Sequence, residues 1–137
     1  MCETLMLMEA AKLGDINLVN KALEKGANQY DMAMAYASLN GHMKIVKLMQ
    51  SLGANDYNWA LSWAAVGGHM EIIDLMIEYG AKHYSNAMVC AAQGGHIDIV
   101  LFMLGKGANY YKEAMLCSNS EEIKDLLNGY MKGKVKL

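Results

Sequence analysis

The chain of 137 residues has no proline and no arginine, a single phenylalanine and only three cysteines. All 12 basic residues are lysine. Phosphate-recognising surfaces favour the planar, bidentate fork of Arg, so its absence weighs against them. A formal net charge of −2 is too small to draw the chain to nucleic acid or to an anionic membrane surface. No run of 18 apolar residues occurs, so no membrane span is expected. The first residues, Met1-Cys2-Glu3-Thr4-Leu5, have no basic stretch ahead of their apolar ones, and no signal peptide is expected. There is no Gly-rich phosphate loop, no metal-spaced Cys/His cluster and no nucleophile motif. The expectation is therefore a non-enzyme with no catalytic, cofactor-binding or metal-binding residues.

What the chain has is a pattern that returns every 27 residues. Gly-Ala recurs at Gly26, Gly53, Gly80 and Gly107. Gly-His recurs at Gly41-His42, Gly68-His69 and Gly95-His96, and tyrosine at Tyr30, Tyr57, Tyr84 and Tyr111. A strict period of this size marks a repeat array in which each unit packs on its neighbours. The third unit shows how one repeat folds. Tyr57 to Val66 is rich in Ala and Leu and reads as a first helix. Gly67-Gly68 breaks it. From His69 or Met70 to Tyr79, the apolar residues Met70, Ile72, Ile73, Met76 and Ile77 follow helical spacing, with Glu71, Asp74 and Glu78 on the other face. Gly80 closes this second helix. Helices of about ten residues do not stand alone in water, so stability must come from stacking. The small column Ala37, Ala64, Ala91 lets first helices approach closely, and Ile45, Ile72 and Ile99 read as a spine through the stack. Met49, Met76 and Met103 recur in register as core filler.

The unit resembles an ankyrin repeat. The resemblance lies in Gly-His at the inter-helix turn, in the Ile-rich second helix (Ile45-Val46, Ile72-Ile73, Ile99-Val100) and in the closing Gly-Ala-Asn at Gly26, Gly53 and Gly107. Ala60-Leu61-Ser62-Trp63-Ala64-Ala65 stands where that family carries its Thr-Pro-Leu-His-x-Ala-type motif, without the Pro and the His. The period falls short of the family's usual 33 or so. The missing residues lie where ordinary ankyrin repeats build a projecting β-turn finger. Compact repeats of this kind are similar to those of large DNA viruses and their hosts. The expected fold is all-α: a right-stacked helix-turn-helix repeat solenoid, ankyrin-like, with shortened fingers. It forms a single domain over 1–137, with repeats at about 1–27, 28–54, 55–81 and 82–108, a capping repeat at 109–128 and a basic tail at 129–137. In the first repeat Gly14-Asp15 replaces Gly-His, and Asp is the better N-cap.

Several residue types could carry chemistry. His42, His69 and His96 occupy equivalent places about 8–10 Å apart, the spacing of packed helices, too far to share one metal. They are expected to bond backbone groups at the inter-helix turns. Cys90 and Cys117 are likewise equivalent, and a disulfide needs Cα atoms within about 7 Å. They read as reduced, half-buried packing residues, pointing to an intracellular, cytoplasmic setting, host cytoplasm if the source is viral.

Solenoids usually work as binding surfaces, and here constant columns are best explained by packing while varying ones are free for recognition. The connectors and the turns before Gly-His vary most, and the resemblance places both along one edge and the concave face. The expected partner-binding set is Asp31, Met32, Asp56, Asn58, Trp59, Trp63, Val66, His83, Ser85, Asn86, Gln93 and Lys112. Trp59 leads it, because its column (Met32, Trp59, Asn86, Glu113) contains polar residues and so sees solvent. The tyrosine ladder reads either as packing or helix-start hydrogen bonding, or as a contact stripe shared along the repeats. The expected function is a protein-binding adaptor or inhibitor, monomeric, with a protein partner and neither nucleic acid nor membrane. The alternative is a self-associating structural or spacer module, suggested by the clipped fingers and by Leu101 on an outer helix face.

Overall fold

A computed structural model describes residues 2–133. Among them the chain forms helices and no strand. The order is α1 (Glu3–Leu13), α2 (Ile16–Glu24), α3 (Tyr30–Asn40), α4 (Met43–Ser51), α5 (Tyr57–Gly67), α6 (Met70–Glu78), α7 (Tyr84–Gly94), α8 (Ile97–Gly105), α9 (Tyr111–Cys117) and α10 (Glu121–Met131). Each odd helix and the even helix after it make one repeat.

Both helix ends in a repeat are set by glycine. Gly68 caps α5 at φ 80° and Gly80 follows α6 at φ 116°, left-handed values that other residues reach only at a steric cost. The turns then close in the same way. His69 N donates to Ala64 O at 3.0 Å, and Ala81 N donates to Met76 O at 2.9 Å. These are six-to-one bonds that satisfy carbonyls left open at a helix end. In the first repeat Asp15 caps α2 by accepting from Leu18 N at 3.1 Å.

The odd helices form one row, α1 against α3, α3 against α5, α5 against α7, and α7 against α9. Their contact is lined by Ala10, Ala37, Ala64 and Ala91, all fully buried, which let the backbones come close. The even helices pack mainly on their own odd partners. Between them sit the larger Ile45, Ile72 and Ile99 and the column Met49, Met76 and Met103, buried to 2% exposure or less. The odd helices add a buried column of large residues of their own, Leu7, Met34, Leu61 and Met88. The tyrosines at the start of α3, α5, α7 and α9 pack half-buried against this core.

The last repeat departs from the pattern. Its first helix, α9, is four residues shorter than α7. Ser120 caps α10, accepting from Ile123 N at 3.3 Å. The tail expected from residue 129 starts later. Gly129, Tyr130 and Met131 belong to α10, because Leu126 and Tyr130 extend its apolar stripe onto the core. Residues 134–137 of that tail lie outside the described residues. No described helix is long and apolar enough to cross a membrane.

Candidate protein-binding face

The open side of the odd helices carries a run of aromatic rings. Tyr36 on α3 meets Trp63 on α5 edge to face, with centroids 5.0 Å apart at 87°. Trp63 meets Trp59 one turn earlier, at 6.0 Å and 89°. Lys12 of α1 extends the run, its Nζ 4.7 Å from the Tyr36 ring centre while it pairs with Glu9 at 3.7 Å. The tryptophans lie four residues apart on one helix, so they share a face. All three rings are half-buried. Edge-to-face pairs of this kind hold rings in fixed orientation and contribute about 0.5–1.5 kcal/mol each beyond burial. The next repeats do not continue the run: Asn86 and Glu113 follow Trp59, and Cys90 and Cys117 follow Trp63.

The connectors behave differently from their sequence reading. Asp31 Oδ1 accepts from Asn55 N at 2.8 Å and from Asp56 N at 2.9 Å. Asn58 Oδ1 accepts from Lys82 N at 2.9 Å and from His83 N at 3.1 Å. Ser85 Oγ accepts from Asn109 N at 3.0 Å. These three side chains occupy one column, and each clasps the connector of the following repeat. Thr4, in the same column of the first repeat, reaches Gln29 at 3.1 Å. The column supplies the inter-repeat bonding at the place where a longer finger would stand. Asp31, Asn58 and Ser85 thus have a scaffold role.

The turns before Gly-His are committed as well. His42 Nε2 bonds Lys12 O at 3.0 Å, His69 Nε2 bonds Leu39 O at 2.9 Å, and His96 Nε2 bonds Val66 O at 2.9 Å. Each imidazole therefore reaches the turn of the preceding repeat and ties the two together. Asn40 donates to the same Lys12 carbonyl at 3.1 Å. Val66 is half-buried and offers its carbonyl to His96. Asp56 caps α5, accepting from Trp59 N at 3.1 Å.

The remaining expected residues are more open. His83, Asn86, Gln93 and Lys112 are exposed, and Met32 is half-buried. Lys82, His83, Tyr84, Ser85, Asn86 and Tyr110 line a shallow cavity of about 310 Å³ on the connector edge. Lys82 and the variable connector residue Tyr110 lie outside the expected partner-binding set. Their signal was present in the connector column, where the neighbouring repeats carry Asn55 and Asp56. Cys90 is half-buried as expected, but Cys117 is exposed, since among the described residues no first helix packs on the far side of α9. Burial pushes the Cys90 thiol up, a hydrogen bond with Ser62 opposes this, and Cys117 adds a smaller upward push. Among the described residues no three His, Cys, Asp or Glu side chains gather as metal ligands would.

Helix pairs closed by glycine, tied by histidine and open along one row define a helical repeat solenoid with a side-chain face free for contact. A family model of ankyrin repeats in three copies matches residues 7–86, more than half of the chain. The chain belongs to the ankyrin repeat family, whose repeats serve in general as protein–protein interaction modules. No curated protein matches the chain.

Proposed function

We propose that the chain is a non-catalytic adaptor or inhibitor that docks an intracellular protein partner on the odd-helix face. The observation that carries this is the Tyr36–Trp63–Trp59 run. Three large rings stand half-buried on the open row of the scaffold, where the equivalent places of repeats 4 and 5 hold Asn86, Cys90, Glu113 and Cys117. Aromatic residues with part of their surface still open are the residues that most often dominate a protein interface. The test is affinity capture with wild-type chain and a Trp59→Ala variant. Trp59 N bonds Asp56 through the backbone, so the substitution spares the cap. A protein retained by the wild type, lost by Trp59→Ala and kept by a Gln93→Ala control would support the assignment. Equal retention by wild type and Trp59→Ala would overturn it.

A second reading has its own observation. Helix α8 carries a single charge, Asp98, and leaves Leu101 38% exposed where α4 and α6 place Lys47 and Asp74. That face suits self-association. Light scattering should then show mass rising with concentration and a return to monomer in Leu101→Asp. A strict monomer at high concentration would count against it.

A further inference from the structure

We infer that the partner segment, on the reading above, is an extended acidic peptide carrying one bulky apolar side chain. The apolar group seats against Trp59 and Trp63, and the acidic residues lie along the connector edge of repeats 4 and 5. In the first half of the edge the carboxylates are engaged: Asp31 holds two backbone N–H groups and Asp56 caps α5. In the second half the edge carries two exposed lysines, Lys82 and Lys112, with the exposed His83 between repeats and Glu113 next to Lys112. Neither Lys82 nor Lys112 has an ion-pair partner among the described residues, where the pairs are Lys12–Glu9 and Lys124–Glu121. Lys82 and His83 line the 310 Å³ cavity together with Tyr110, which is 45% exposed and offers a hydroxyl beside the ammonium and the imidazole.

Asn86 joins the two parts. It lines the cavity and occupies the Trp59 column one repeat further on. A chain lying over Trp59 therefore reaches the cavity within one repeat width, about 8–10 Å, or roughly three extended residues. Glu113 takes the next place in that column, beside Lys112, and opposes an acidic segment there. Unpaired cations beside an apolar anchor select an acidic partner and speed its encounter.

Trp59 and Trp63 are the only tryptophans, so intrinsic fluorescence reports this face alone. The probes are an acidic hexapeptide with one central phenylalanine and its counterpart with amides in place of the carboxylates. The acidic peptide should shift the tryptophan emission with saturation, bind about tenfold more tightly than the amide form, and weaken steeply with added salt. Lys82→Glu with Lys112→Glu should abolish that preference, since both side chains are exposed and make no bond that the fold needs. Glu113→Lys should strengthen binding. Equal binding of the two peptides, no binding of the acidic one, or indifference to the charge reversals would overturn the inference. If partner capture in the same preparations still depends on Trp59, the adaptor reading stands and only the partner chemistry fails.

Discussion

Replacing Gly67 by Ala tests the tie between repeats 2 and 3. Gly67 is the last residue of α5, and its φ lies outside the left-handed region, so backbone strain does not enter. Helix propensity alone favours Ala there by up to about 1 kcal/mol. The neighbouring turn opposes it. A Cβ on Gly67 would collide with the Leu39 carbonyl oxygen and lie 2.7 Å from Cδ2 of His69. That oxygen is backbone, and it already accepts from His69 Nε2 at 2.9 Å. Relief requires the two turns to part, and parting stretches the histidine bond. Overpacking costs about 1–3 kcal/mol and the weakened bond about 1 more. Set against the propensity gain, the net loss is about 2 kcal/mol. For a chain of this length that lowers Tm by about 6–8 °C. Gly67→Asn separates the two parts of the cost. Asn40 occupies the same place one repeat earlier and donates to Lys12 O, so the introduced amide should regain a bond to Leu39 O and lose about 1 kcal/mol less. Thermal unfolding followed by circular dichroism at 222 nm reads all three proteins. A Gly67→Ala Tm at or above wild type would refute the reasoning.

Asn58→Ala removes the acceptor for Lys82 N and His83 N. Amide exchange at those two positions should accelerate and stability fall by about 1–2 kcal/mol, while Asn58→Asp, matching Asp31 in the same column, should keep both protections; unchanged exchange in the Ala variant would count against the clasp. In titration with an aromatic disulfide reagent at pH 8, Cys2 and Cys117 should react first and Cys90 last, because burial holds its thiol above the ordinary range and disfavours the thiolate. Three thiols reacting in one phase would contradict the burial of Cys90.

Much of the architecture is legible in the residues. Gly26, Gly41, Gly53 and their repeats mark helix ends, and the Ala and Ile columns foretell which faces meet. The site is less legible, and the reason is physical. Variation along a column does not by itself mean freedom. Asp31, Asn58 and Ser85 differ in type, yet each supplies one acceptor oxygen at the same point, so three side chains do one job. Likewise, Asn40, Gly67 and Gly94 differ because the gap between turns differs, filled once by an amide and twice by close backbone approach. The histidines are read correctly as bonding backbone at the turns. That the backbone belongs to the preceding repeat emerges only when the units are stacked. Trp59 and Trp63 stand out by type, but the edge-to-face contact of Trp63 with Tyr36 depends on how far apart α3 and α5 settle.

The histidine ties also make the chain editable in whole units. Each Nε2 reaches a carbonyl thirty residues earlier: His42 to Lys12, His69 to Leu39, His96 to Val66. Excising residues 40–66 joins Leu39 to Gly67 and brings His69 to the Lys12 carbonyl, with the same ring, the same glycine and the same kind of acceptor. Both tryptophans leave with the excised segment, as does the Asn40 bond to Lys12 O, while the histidine tie is kept at the new seam. A lineage carrying such a gene can therefore gain, lose or exchange a recognition segment by recombination in steps of 27 codons without redesigning a junction.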